Sequence, residues 1–519
     1  MRRRLDASVN ALNAFSNAPS VAARAARAAS ERPDGVTLHW PGRSYRPTPG
    51  GAPAAAATAT RPRSRRVPFE RYGAGSDRLC WGDALDVARM LLDEEKLEGK
   101  VDLVYIDPPF ASQADYIHEA RLDGTADGRV VRTLAYEDTW RQGRSRGDGV
   151  ARYLDELAPR LELLTRLLAP GGTLWVHLDW RAAYLVRVLL EELLGRDAFI
   201  NEIVWKRAPN LGRQAASHQF GRTLDTLLVY SSGASSRGGR AKLVPPTRLE
   251  PIDDKAIRVD AEGRPFTSAP RGDYTDASIA RLDREGRVHR TPSGRLYVKY
   301  FLVKNADGVW CRERRVDALW TDVAPLRHAP PSERTGFPTQ KPRALLERII
   351  RCATQPGELV VDLFAGSGTT GEVAHALGRR FILGDAGAMA MTTARARLRR
   401  AGADLAIERV GSPSAASADV PRVTLRRTSP GRLSVTLDSP REPAAWAIAV
   451  GALENGAPFV PVWHSERAPG KPPVPASQEA TIAHARGPIT IRVYGDDGSI
   501  ATATLAVADK RRATRDARG

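Results

Sequence analysis

Ten residues constrain this chain more than any others: Val101-Asp102-Leu103-Val104-Tyr105-Ile106-Asp107-Pro108-Pro109-Phe110. The first six form an apolar run broken only by Asp102, the pattern of a strand buried in a parallel sheet. Two consecutive prolines then remove two backbone donors and fix two φ angles, so the strand must end in a rigid, extended turn. Open α/β sheets bind their ligands just beyond the carboxyl ends of such strands. The turn offers a carboxylate, prolyl carbonyls and an aromatic ring. A carboxylate beside a carbonyl presents two acceptors, matching the two hydrogens of a planar exocyclic amine. Phe110 adds a face for stacking a flat heterocycle, worth about 1–3 kcal/mol per base in nucleic-acid complexes. An aromatic amine such as adenine N6 or cytosine N4 suits this set better than a hydroxyl or a thiol. The plain alternative is a strand-ending turn with an incidental aspartate.

A second stretch, Val361-Asp362-Leu363-Phe364-Ala365-Gly366-Ser367-Gly368-Thr369-Thr370, reads as a strand opening through a glycine-rich turn into a helix. Gly366 and Gly368 let backbone approach a ligand where side chains would collide. Gly371 completes a Gly-x-Gly-x-x-Gly pattern that several nucleotide folds share, dinucleotide oxidoreductases included. Gly366 and Gly371 also have phosphate-loop spacing, but Glu372-Val373 stands where Lys and Ser or Thr are required. Asp385 ends the following strand and can accept both ribose hydroxyls of a nucleoside cofactor. The pattern implies a nucleoside pocket without triphosphate machinery.

At 519 residues the chain is too long for one core and implies two or three domains. Its net charge of +18 points to a polyanionic partner, most simply nucleic acid. Arginine supplies most of that charge, favouring forked contacts to phosphates and bases; arginine-rich codon usage is the competing explanation. Cys80, Cys311 and Cys352 are widely spaced and odd in number, which gives no disulfide framework or metal-ligand spacing and implies a reducing, cytoplasmic setting. No apolar run approaches the roughly 20 residues that span a bilayer, so no membrane association is expected. The basic start, Met1 to Arg4, lacks the apolar core of a secretory signal.

Along the chain, residues 1–66 are rich in Ala, Arg and Pro and read as a disordered arm. From 67 to 409 helical and strand patterns alternate, which argues for a doubly wound sheet. Residues 206–335 interrupt this α/β pattern with a polar, basic, Gly- and Pro-rich segment too long for a connecting loop, read as a functional insertion between a half at 75–205 and a half at 336–409. Residues 410–509 alternate apolar and polar side chains and read as a small β-rich domain; 510–519 is a basic tail.

The Asp362–Thr370 stretch resembles the S-adenosylmethionine motif of class I methyltransferases. Asp107-Pro108-Pro109-Phe110 resembles the catalytic motif of amino-methylating DNA methyltransferases. Here the catalytic motif comes first, the insertion second and the cofactor motif last. That permuted order resembles the β-type arrangement of DNA adenine-N6 and cytosine-N4 methyltransferases, which includes Mod-type subunits of type III restriction–modification. The resemblance implies a Rossmann-like class I methyltransferase fold with an inserted target-recognition region. It implies S-adenosyl-L-methionine as cofactor, held by Asp362, Phe364, Ala365, Gly366, Ser367, Gly368 and Thr369, with Asp385 on the ribose. Trp81-Gly82-Asp83 is similar to the segment beside the cofactor's adenine, which places Asp83 there. Gly336-Phe337-Pro338-Thr339-Gln340-Lys341-Pro342 looks like the segment closing over the methionine end, which assigns Thr339 and Lys341 to it. Glu202–Lys206 and Phe220–Tyr230 are similar to the family's post-catalytic strands, which moves the start of the insertion toward Ser231.

Departures exist: Phe110 stands where many members have Tyr, and Ala386-Gly387-Ala388 replaces the usual Ser-Pro or Asn-Pro. The implied partner is double-stranded DNA, with a restriction subunit or a second copy of the chain as further candidates. Asp at position 107 favours adenine over cytosine, whose N4 enzymes more often carry Ser. A non-catalytic DNA-binding protein and an RNA methyltransferase are the remaining alternatives. His177, beside Asp179 at a strand end, is expected to be structural.

Overall fold

The computed structural model describes residues 37–40, 43–44 and 65–506, with exceptions that fall within 111–147, 211–241, 413–443, 455, 468–486 and 496. Most of the arm and the whole basic tail therefore lie outside the described residues.

Ten strands form the main sheet: β1 (Arg66–Tyr72), β2 (Asp77–Trp81), β3 (Val101–Ile106), β4 (Leu168–Leu178), β5 (Phe199–Lys206), β6 (Leu224–Ser231), β7 (Leu319–Trp320), β8 (Leu359–Asp362), β9 (Arg380–Asp385) and β10 (Leu405–Val410). Their spatial order is β1-β10-β2-β9-β8-β3-β4-β6-β5-β7. From β10 to β4 all neighbours run parallel, while β1 and β6 run against theirs. Among the described residues six helices accompany the sheet: α1 (Ala84–Asp93), α2 (Asp148–Leu167), α3 (Ala183–Leu194), α4 (Arg343–Ala353), α5 (Thr369–Ala376) and α6 (Ala388–Arg400). This is the doubly wound α/β sheet of the class I methyltransferase fold that the alternation and the two motifs implied.

The consequence of the permuted order is visible in one pairing. β8 lies beside β3, with Val360 opposite Leu103 and Val361 opposite Val104, although four strands of the sheet, β4 to β7, separate them in the chain. Both run the same way, so the turns after Ile106 and after Asp362 leave the sheet side by side. β9 and β2 continue the same rim, bringing Asp385 and Trp81 level with each other. Asp102, the one polar break in β3, sits at the opposite end. There its carboxylate accepts from the Leu359 N–H at 3.1 Å and meets Lys242 Nζ at 3.2 Å.

Residues Val244–Ala318 form a separate compact unit. Within it a small antiparallel sheet, including Pro265–Pro270, Leu296–Lys304 and Trp310–Arg315, packs with the helix Asp276–Arg284 through Ile279, Leu282 and Val298. This unit is narrower than the 206–335 insertion. β6 is a buried apolar strand and belongs to the main sheet, and β7 rejoins that sheet beside β5.

Two further expectations are corrected. The arm read as disordered includes residues 37–40 and 43–44, where Leu38 and Trp40 pack against the main core and Arg43 pairs with Glu192 at 2.9 Å. The sequence Pro170-Gly171-Gly172 would ordinarily end a helix before a strand begins, but it lies inside β4. The register beside β3 jumps there from Leu168 to Thr173, so the extra residues form a bulge. After β10 the chain builds two small antiparallel sheets whose side chains, Val435 and Leu437 from one and Trp446, Ile448 and Ile491 from the other, share one buried cluster. Among the described residues, no helix is long and apolar enough to cross a membrane.

Candidate active site

A cavity of about 1070 Å³, its open mouth included, sits at the rim where β2, β9, β8 and β3 end. It is lined by Asp83, Asp107, Pro108, Pro109, Phe110, Thr339, Lys341, Asp362, Phe364, Ala365, Gly366, Ser367, Thr369 and Asp385. Of the residues singled out from sequence, only Gly368 is not among its walls. Gly368 has φ +76° and a Cβ there would fall 2.8 Å from the Ala394 Cβ, so this glycine serves the close approach of α6.

Each acidic group is held differently. Asp385 Oδ2 accepts from the Gly366 N–H at 2.9 Å and Oδ1 from the Gly387 N–H at 2.8 Å, which ties the glycine turn to the end of β9. Burial raises the Asp385 carboxyl above its usual range against these bonds. Asp362 accepts from the Thr370 hydroxyl at 2.6 Å and the Phe364 N–H at 2.9 Å. Burial, reinforced by the nearby charges of Asp107 and Asp385, pushes it up to about 7. Asp83 caps α1 by accepting from the Leu85 N–H at 2.8 Å, and its other oxygen meets Arg160 at 2.7 Å.

The raised Asp362 pKa fixes the sign of a pH effect. In the unfolded chain this carboxyl titrates near 3.8, and in the folded protein near 7. Between those values the folded state binds more protons, so stability falls as pH rises. Denaturant midpoints should therefore decline between about pH 4 and pH 7, by on the order of a few kcal/mol in unfolding free energy. Asp362→Asn should flatten that decline.

Asp107 has one oxygen, Oδ1, buried without a hydrogen-bond partner among the described residues. Its Oδ2 is in contact with the Lys341 ammonium, which also donates to the Thr339 carbonyl at 3.3 Å and lies 5.3 Å from the Phe110 ring centre. Lys341 thus rests at the carboxylate of the Pro-Pro turn. Thr339 adopts φ +61°, a left-handed conformation unusual for a β-branched residue, at the bend that carries Lys341 inward.

Beneath Phe110 lies a buried polar chain. His177 is stacked on the Phe110 ring with centroids 6.0 Å apart and planes 29° apart. Its Nε2 is 3.1 Å from Asp225 Oδ2, and its Nδ1 is 3.1 Å from the Tyr105 hydroxyl. Asp225 also accepts from Arg207 at 2.6 Å. Burial acts to raise the Asp225 carboxyl, but the His177 hydrogen bond and the Arg207 charge outweigh it and hold the group low. His177 is wholly buried, and its ring backs that of Phe110.

Among the lining residues not assigned to the site from sequence are Tyr105, Arg160, Phe337 and Gln340. Arg160 left a trace, since it occupies the same helical face as the buried Leu157, Leu161 and Leu164, where an arginine needs a partner. Phe337 is read only as part of the Gly336–Pro342 segment; it lies 3.2 Å from where a Cβ on Gly366 would stand. The lining fits a nucleoside-type cofactor with a cationic end, because four carboxylates and a glycine-walled turn face one space.

The family model for DNA methylases that act at N6 or N4 matches residues 101–395. The chain belongs to this DNA methylase family. Among relatives of this chain, the type II methyltransferase M.EcaI of Enterobacter cloacae is 26% identical over 59% of the chain and 65% of that protein. The Mod subunit of the type III restriction–modification enzyme StyLTI of Salmonella typhimurium is 25% identical over 57% of the chain and 49% of the subunit. The alignments thus span from about half to just under two thirds of these relatives. The DNA adenine methyltransferase YhdJ of Escherichia coli is 60% identical over 50 residues, 10% of the chain and 17% of YhdJ. Among solved structures, the M1.HpyAVI–SAM complex covers 62% of the chain and 98% of its own, at 18% identity and a TM-score of 0.33.

Proposed function

We propose that this methylase transfers a methyl group from S-adenosyl-L-methionine to the exocyclic amine of a base in double-stranded DNA, and that the base is adenine. The observation carrying this reading is that the Asp107-Pro108-Pro109-Phe110 turn and the Gly366 turn wall the same cavity. S-adenosylmethionine, when bound, supplies a methyl group activated by its sulfonium. Asp385 is suited to the ribose, the Asp83 side to the adenine, and Asp362 to the cationic end.

The target base must leave the duplex to reach this depth, a step costing a few kcal/mol. Phe110, held from behind by His177, recovers part of that cost by stacking. The amine's lone pair is conjugated with its ring, so the nitrogen is a poor nucleophile. Asp107 and the Pro108 carbonyl accept its two hydrogens, which draws the nitrogen toward sp³ geometry and aims the lone pair out of the ring plane. Positioning supplies most of the remaining help, and oriented reactants gain roughly 7–11 kcal/mol over free ones.

Lys341 contacts Asp107 Oδ2 and leaves Oδ1 open to the amine, so the ammonium serves as a counter-charge that holds the carboxylate in place. Lys341→Met should therefore lower kcat by roughly tenfold or more with the cofactor KM changed less than about threefold. A large rise in cofactor KM at unchanged kcat would return Lys341 to the methionine end alone.

The deciding experiment is long-read detection of modified bases in DNA from a host expressing the chain. N6-methyladenine in a defined sequence context is expected. N4-methylcytosine would replace adenine as the target, and an unmodified genome would remove the activity. The likeness to a Mod subunit supports a restriction–modification setting, which co-purification with a restriction subunit would test.

A further inference from the structure

The strands after β10 have no part in the reaction described above, yet they press on the cofactor cavity from behind along two separate routes. The first begins at the outer edge of β1. There Phe459 exchanges backbone hydrogen bonds with this edge, donating to the Phe69 carbonyl at 2.9 Å and accepting from the Arg71 N–H at 3.0 Å. Between these two backbones lies a buried ionic cluster. Glu70, wholly buried, accepts from Arg492 at 2.9 Å and from the Tyr494 hydroxyl at 2.6 Å on one oxygen, and from the Tyr72 hydroxyl at 2.9 Å on the other. Arg395 of α6 joins it, donating to Tyr72 at 2.9 Å and Glu466 at 2.8 Å, with its guanidinium 3.7 Å from the Tyr494 ring centre.

Stacked groups extend this cluster inward. Arg492 lies over both Phe459 and Phe69, Phe69 meets Trp81 edge-on at 5.8 Å, and Arg409 covers both Phe69 and Trp81. Trp81 then donates its indole N–H to the Ala386 carbonyl at 3.2 Å. Ala386 follows Asp385 and lines the cavity. Removing one member of a buried ion pair of this kind leaves an uncompensated charge, so its members are held in place together.

The second route is a direct backbone contact. Gly498, at the tip of the hairpin between Ile489–Tyr494 and Ile500–Leu505, has φ +78°, and a Cβ there would stand 2.7 Å from the Met389 nitrogen. Met389 belongs to the first turn of α6 and is buried with Phe337 and Ala390. Phe337 in turn packs beside Gly366, and both line the cavity. The hairpin tip therefore bears on the start of α6, which the loop carrying Asp385, Ala386 and Gly387 enters.

We infer that the C-terminal strands, residues 420–506, are a positioning element of the cofactor cavity, bracing its nucleoside wall through the Phe459–Trp81–Ala386 stack and the Gly498–Met389–Phe337 contact. The inference rests on reading that cavity as the S-adenosylmethionine site. Disturbing these contacts shifts cofactor affinity and leaves DNA affinity alone.

The test uses the full chain with Gly498→Val and, separately, Phe459→Ala, each first checked for its fold by circular dichroism. Gly498→Ala stands in if the valine does not fold. Equilibrium titrations with S-adenosylmethionine and with S-adenosylhomocysteine measure cofactor binding, and anisotropy with a duplex at fixed salt measures DNA binding. Cofactor Kd is expected to rise roughly tenfold in both variants with duplex Kd within about twofold of wild type. Folded variants with wild-type cofactor affinity overturn the inference, as does a loss confined to duplex binding, which would make these strands a DNA contact. Failure of the wild-type chain to bind either cofactor form removes the cavity reading itself and the inference with it.

Discussion

Asp107→Ala is expected to lower methyl transfer by about three orders of magnitude, within the range for removing a positioned proton acceptor. Cofactor affinity should stay within a few-fold of wild type. Two features of the site carry this expectation. Asp107 Oδ1 is buried and has no partner among the described residues, and the turn that carries it has no backbone N–H at Pro108 or Pro109 to compete for it. The glycine turn, by contrast, is tied to Asp385 and not to Asp107. Single-turnover assays with saturating cofactor check the first half of the prediction, and titration calorimetry the second. Wild-type turnover by this variant would take Asp107 out of the reaction. Asp107→Asn separates charge from shape: it keeps one acceptor oxygen, and its turnover should fall between those of the wild-type and alanine forms.

Gly366→Val should have an effect of similar size on the other substrate, weakening cofactor binding by at least about a hundredfold, or about 2.7 kcal/mol. The native φ of +50° is costly for any residue with a Cβ, and a branched one fares worst. A Cβ would also lie 3.2 Å from the Phe337 ring, before either valine methyl is counted. The strain falls on the turn whose N–H reaches Asp385, so the ribose acid loses its alignment as the wall closes in. DNA affinity, measured by anisotropy, should be unchanged. A variant that binds cofactor normally would place the nucleoside elsewhere than in this turn.

Much of the site was readable because its punctuation is local. Asp-Pro-Pro ends a strand wherever it occurs, and a glycine-rich turn after Val-Val-Asp opens a helix, so each half could be placed on the sheet from a dozen residues. Their adjacency needed the parallel sheet, which the alternation of helix and strand supplied. What could not be read depends on approaches between distant segments. Lys341 and Asp107 are 234 positions apart, and nothing near either says that the ammonium rests on that carboxylate instead of at a methionine end. Gly368 carries the same letter as Gly366 but meets Ala394 on α6, a distinction that only helix packing makes. The short stretch around Leu38 and Trp40 was hidden by its Ala- and Pro-rich surroundings, although Val36, Leu38 and Trp40 alternate with Thr37 and His39. The edge of β1 was missed for a related reason, because half of what stabilises Glu70 arrives from Arg492 and Tyr494, more than four hundred positions later.

The three cysteines have a practical consequence. All are buried and free, and burial pushes the Cys80 thiol up to about 12 and the Cys352 thiol up to about 11. Almost no thiolate is present at neutral pH at either of these positions, so alkylating reagents find little to attack in the native fold. A single cysteine introduced on the exposed face of the Val244–Ala318 unit would then take a fluorophore selectively, with no need to strip the native ones. That gives a direct optical handle on whether this unit moves when duplex is added.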